Sequence, residues 1–141
     1  MRFMIILKSD RDAEAGVMPD EAMLSAMTEY NEALVKAGVM RAGEGLQDSS
    51  KGARVKFSGT QRTVQKGPFR PPESLVAGFW IFEVKSLDEA IEWVKRCPNP
   101  HLGDAEIEIR QIFETEDFDE QLTPELRERE DRMRKQIEGK K

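Results

Sequence analysis

The stretch Val76–Val84, VAGFWIFEV, together with the Ser86-Leu87-Asp88-Glu89 that follows it, decides the fold. Aromatic and β-branched residues dominate the first part, which reads as a strongly apolar strand. The second part is a capping box: the Ser86 oxygen can accept from the third helical amide while Glu89 reaches back. Ala90, Val94 and Cys97 then share one helical face, with Ile91 alongside, and Pro98 closes the helix. A strand running almost directly into a capped helix is one half of a β-α-β unit. Downstream, Ala105–Phe113 (AEIEIRQIF) alternates through Ile107 and Ile109, as expected of a strand with one wet face.

The upstream half repeats the plan. Residues Arg2–Leu7 (RFMIIL) form an apolar run, expected of a central strand buried on both faces or shielded at an oligomer interface. Lys8–Val17 reads as a surface loop, and Pro19 suits the first turn of a helix with Asp20 and Glu21 at its positive end. Met23, Met27, Tyr30, Leu34 and Ala37 mark one face of that helix, and Gly38 ends it. Val39–Lys51 reads as a short strand and a turn. Arg54–Phe57 and Arg62–Gln65 flank Ser58-Gly59-Thr60 as a β-hairpin. The loop Lys66–Ser74 holds Pro68, Pro71 and Pro72, which fit neither a helix interior nor a central strand. This order predicts an α+β fold: a ferredoxin-like antiparallel sheet with two helices on one face. Its other face needs cover, which a second copy would supply.

Residues 1–116 form this domain in the reading, and 117–141 a charged C-terminal extension with a helix starting at Thr123-Pro124. Leu126, Met133 and Ile137 give that helix only a thin apolar stripe. The whole chain has 141 residues, 38% hydrophobic and 35% charged, enough to bury a core beneath a heavily charged surface. The net charge of −5 argues against nucleic-acid or anionic-membrane binding. A single cysteine, Cys97, fits a reducing cytoplasm, and neither a signal peptide nor a membrane span is expected.

Gly43-Glu44-Gly45-Leu46, Gly67-Pro68-Phe69 and Ala77-Gly78-Phe79-Trp80 resemble the YCII-related family, and within it the branch named for an Asp-Gly-Pro-Phe motif. Asp88-Glu89-Ala90 with Glu92-Trp93, and Ile107-Glu108-Ile109-Arg110-Gln111, extend the resemblance over roughly residues 1–120. It implies a dimeric α+β barrel, two such sheets packed face to face around a cavity. Association with sigma-factor-type regulators is a further implication for this branch. At the motif's aspartate the chain carries Lys66, and Arg70-Pro71-Pro72-Glu73-Ser74 replaces the small, acidic and lysine residues expected after Phe69. Any role of that aspartate does not transfer. The resemblance also implies a His/Asp pair in the founding YCII-type proteins, and no such pair is evident near the first strand.

Candidate chemistry is sparse. His101 is the only histidine, and Asp104 is the expected partner to orient it as a general base; the alternative is a plain helix-to-strand loop. Glu44, between two glycines, is either a carboxylate meeting a cavity ligand or an exposed turn residue. Gly67, Pro68 and Phe69 either shape a cavity mouth lined by Lys66, Arg70 and Glu73, with Phe69 as a lid, or form a rigid crossover. Lys66 and Arg70 would suit an anionic metabolite. One histidine and one cysteine give no metal-ligand spacing, and no cofactor is implied. Two functions stay open beside a plain scaffold dimer with no ligand. One is a homodimeric small-molecule-binding or regulatory accessory protein, with the C-terminal helix available to a protein partner. The other is an enzyme performing acid/base chemistry on a small anionic metabolite, using Glu44 and His101.

Overall fold

A computed structural model describes residues 1–139. It contains two compact units, residues 1–111 and a second beginning at Ile112. The first unit holds strands β1 (Arg2–Lys8), β2 (Met40–Gly45), β3 (Ala53–Ser58), β4 (Gln61–Lys66), β5 (Val76–Glu83) and β6 (Ile107–Gln111). Its helices are α1 (Arg11–Glu14), α2 (Glu21–Lys36) and α3 (Leu87–Lys95). Four strands form an antiparallel sheet in the order β2-β5-β1-β6, and β3-β4 form a separate hairpin. With α2 and α3 as its crossovers, this is the expected ferredoxin-like arrangement.

The alternation of β1 and β5 explains the layering. Phe3, Ile5 and Leu7 on β1, and Trp80 and Phe82 on β5, point to one face and are buried with Tyr30, Leu34, Val39, Val84 and Ala90. Pairing Ile5 with Trp80 and Phe3 with Phe82 stacks these side chains in register. The polar ends of the aromatics are satisfied. The Tyr30 hydroxyl donates to the Trp93 carbonyl at 2.8 Å, and Trp80 Nε1 donates to Asn31 Oδ1 at 2.9 Å. Burial pushes the Tyr30 phenol above its ordinary range, so it stays a donor. Gly43 lies opposite Trp80, where a Cβ would come within 3.0 Å of the indole Cδ1.

Some boundaries differ from the sequence reading. The loop after β1 contains α1, because the Asp10 side chain accepts from the Ala13 amide and nucleates a turn. Asp20 is the N-cap of α2, so Pro19 precedes the helix rather than entering its first turn. β6 covers only the central part of Ala105–Phe113.

In the second unit a 3-10 turn covers Thr115–Gln121, and the Phe113 and Phe118 rings lie 5.0 Å apart. Helix α4 (Pro124–Glu138) is capped by the Thr123 hydroxyl, which accepts from the Leu126 amide. Leu126, Met133 and Ile137 are all exposed. No helix of the described residues is long and apolar enough to cross a membrane.

Candidate functional site

Antiparallel pairing gathers four loops at one end of the sheet. The end of β1 meets the starts of β5 and β6, and the end of β2 meets the start of β5. Backbone bonds stitch this end together: Ser9 N–H to the Leu75 carbonyl at 2.9 Å, and Leu46 N–H to that of Ala77 at 2.8 Å.

His101 sits here with 7% of its side chain exposed. Its Nδ1 lies 3.0 Å from Asp10 Oδ2, and its Nε2 lies 2.8 Å from the Lys8 carbonyl oxygen. Asp10, not the exposed Asp104, is therefore the orienting partner. A histidine and an aspartate do meet beside the first strand, contrary to the sequence reading. The pair was hidden because its members are far apart in the chain and joined only by the β1–β6 pairing. Both ring nitrogens face oxygen acceptors, so neither has a lone pair turned toward a substrate. The arrangement ties the loop before β6 to the end of β1. Asn99 braces the same loop, accepting from the His101 amide and donating to the Gly103 carbonyl, each at 2.9 Å.

A second chain of bonds fixes the Gly-Pro-Phe turn. The Glu14 carboxylate accepts from the Ser49 amide at 2.9 Å and from its hydroxyl at 3.0 Å. Ser49 Oγ in turn accepts from the Phe69 amide at 2.8 Å. Gly67 passes so close to this strut that a Cβ would fall 1.7 Å from the Ser49 carbonyl oxygen. The Arg54 guanidinium covers the Phe69 ring at 4.0 Å. The turn is thus braced from its backbone and its ring, as a fixed crossover rather than a swinging lid. Glu14 and Ser49 were not singled out from sequence. Asp10, the third member missed, did carry a signal, an N-cap residue directly after a strand.

The remaining candidates point outward. Lys66, Pro68, Arg70 and Glu73 are exposed, and Phe69 is half-buried. Glu44 is exposed on β2 opposite Phe79, on the sheet face away from the helices. That face carries Met4, Ile6, Phe79 and Ile81, all half-buried, at its centre, with Met4 paired to Ile81 and Ile6 to Phe79. Glu108 and Arg110 on β6 border it opposite Glu44, and Lys8 stands 3.8 Å from Glu108. A concavity of about 590 Å³ lies elsewhere, against α2 and Met40, and holds none of these residues. A smaller one of about 240 Å³ lies beside Cys97. Burial pushes the Cys97 thiol up to about 11, which leaves it protonated and unreactive at neutral pH. No cluster of metal-binding side chains occurs among the described residues.

Sheet order, crossovers and open face define a ferredoxin-like α+β domain with its polar loops gathered at one end. The model of the YCII-related domain matches residues 1–116, and the chain belongs to that family. A relative, the uncharacterized protein R00369 of Rhizobium meliloti (strain 1021), is 24% identical over 93 residues, covering 66% of this chain and 75% of the relative.

Proposed function

We propose that this protein is a homodimeric binding protein that holds a small carboxylate-bearing metabolite between two packed sheets. The observation that carries this reading is the open face. Met4, Ile6, Phe79 and Ile81 form an apolar centre that α2 and α3 leave uncovered, an arrangement suited to a second copy or an apolar ligand body. Charged residues border it, with Glu44 on one edge and Glu108 and Arg110 on the other. The mouth is assigned to Lys66, Pro68, Phe69 and Arg70, with Glu73 following them; the two cations there favour an anionic head group. A regulatory or carrier role fits better than catalysis, because both ring nitrogens of His101 are engaged within the fold.

A thermal-shift screen against small carboxylic acids tests the reading. A ligand that binds the native state alone raises the melting temperature by mass action. The expected result is a hit with the native chain that is lost in Lys66→Asp and weakened in Glu44→Gln. A library that leaves the native chain unmoved would sink the ligand assignment. A monomeric mass in sedimentation equilibrium would sink the dimer.

A further inference from the structure

The hairpin β3–β4 departs from the rest of the molecule in both of its faces. Every residue of both strands is exposed, and neither strand pairs with the four-stranded sheet. A two-stranded ribbon without a packed face is marginal in water. Yet one face of this ribbon gathers its apolar side chains, Ala53, Val55, Phe57 and Val64, beside Arg62 and Lys66. Val55 pairs with Val64 and Phe57 with Arg62, and Val55, Phe57 and Val64 remain 55%, 71% and 60% exposed.

Its charge is equally one-sided. From Ser49 to Pro72 the chain carries Lys51, Arg54, Lys56, Arg62, Lys66 and Arg70 and no carboxylate. The other 16 lysines and arginines face all 27 carboxylates, a balance of −11. Among the described residues, none of the six forms an ion pair within its own chain. Arg54 and Arg62 lie over the Phe69 and Phe57 rings instead. Glu44, on the rim of the open sheet face, likewise has no ion-pair partner among the described residues.

We infer that the hairpin is an arm that docks on a second copy of this chain, its Val55–Phe57–Val64 face against the partner, with Arg62 and Lys66 of the same face reaching the partner's Glu44. A basic, apolar arm on an otherwise acidic protein is complementary to its own kind, and a two-fold axis uses the contact twice. A six-residue strand reaches about 20 Å, twice the spacing of about 10 Å between packed sheets. The arm is therefore long enough to pass the sheet–sheet gap. This inference rests on the face-to-face dimer and adds to it the element that closes the rim. Polyanions fit less well, because a phosphate surface leaves the apolar side chains of the ribbon uncovered.

The test uses the full chain. A photo-reactive phenylalanine analogue at position 57 is irradiated in an equal mixture of isotopically light and heavy protein. The expected products are light–heavy cross-links from position 57 to peptides of the open face or its rim. In parallel, Arg62→Glu with Lys66→Glu should weaken the dimer about tenfold or more in sedimentation equilibrium, and Glu44→Lys should recover part of the loss. Far-UV circular dichroism should stay unchanged, since both substituted residues are exposed. A dimer whose affinity ignores the charge reversal and whose position 57 cross-links only within one copy would overturn the arm and leave the face-to-face dimer standing. A native chain that is monomeric would overturn both. A dimer lost in Ile6→Asp but kept in the hairpin variants would separate the two in the same direction.

Discussion

Strands β5 and β3 both carry aromatic and β-branched side chains, yet β5 buries what β3 leaves in water. On β5, Trp80 and Phe82 sit within a helix-covered core, and even the indole N–H has its acceptor in Asn31. On β3, Val55 and Phe57 are exposed, and the adjacent cations lack carboxylate partners among the described residues. The difference teaches that alternation fixes which side chains share a face, whereas topology decides whether that face meets a helix. A crossover helix follows β5. A tight turn at Gly59 follows β3 and returns the chain at once.

Substitutions can break the contrast or sharpen it. Phe82→Ala should cost about 3–5 kcal/mol in chemical denaturation, because a fully buried ring leaves a cavity. A loss near that measured for an exposed phenylalanine would erase the contrast. Gly67→Ala should cost about 3 kcal/mol, at the upper part of the range for overpacking, since backbone rather than a flexible side chain opposes the new methyl group. Glu14→Ala should cost about 1–3 kcal/mol by leaving the Ser49 amide and hydroxyl without their acceptor. Hydrogen exchange should show faster opening of the Phe69 amide in the same variant. Phe57→Ala, measured where the protein is dilute enough to be monomeric, should change stability by less than about 0.5 kcal/mol.

The smallest effect concerns pH. The Cys97 thiol is raised in the folded state from 9.0 to about 11, so the folded state holds its proton more tightly than the unfolded chain. The associated stability is present below pH 9 and is lost as pH rises toward 11. Denaturation midpoints should hold steady from pH 7 to 9 and then decline. Part of that slope should vanish in Cys97→Ala; an equal slope in both proteins would assign it to other groups.

Much of the architecture was legible from periodicity and caps. The capping box at Ser86–Glu89 forms as read, with the Ser86 hydroxyl accepting from Glu89 N–H at 3.1 Å and Glu89 accepting from Lys85 N–H at 2.9 Å. The loop-end contacts were less legible because they join residues that only the folded sheet makes neighbours. Asp10 and His101 become adjacent through β1 and β6, and Glu14 reaches Ser49 across the same end. Strand order, once granted, does bring the chain after β1 beside the chain before β6, and with it Asp10 rather than the sequence-near Asp104. Net charge is silent on a different matter, where the charges lie. An overall −5 conceals a wholly basic segment, because summing the charge discards its position.

The placement of Trp80 has an optical consequence. Of the two tryptophans, Trp80 is 7% exposed between Tyr30 and Phe82, and Trp93 lies under the Arg96 guanidinium on α3. Both belong to the helix-covered side of the sheet. Intrinsic emission will therefore follow loss of the core and stay quiet when something settles on the opposite face. Phe79→Trp, at the centre of that face beside Ile6, would put a fluorophore where assembly and ligand capture are proposed to occur.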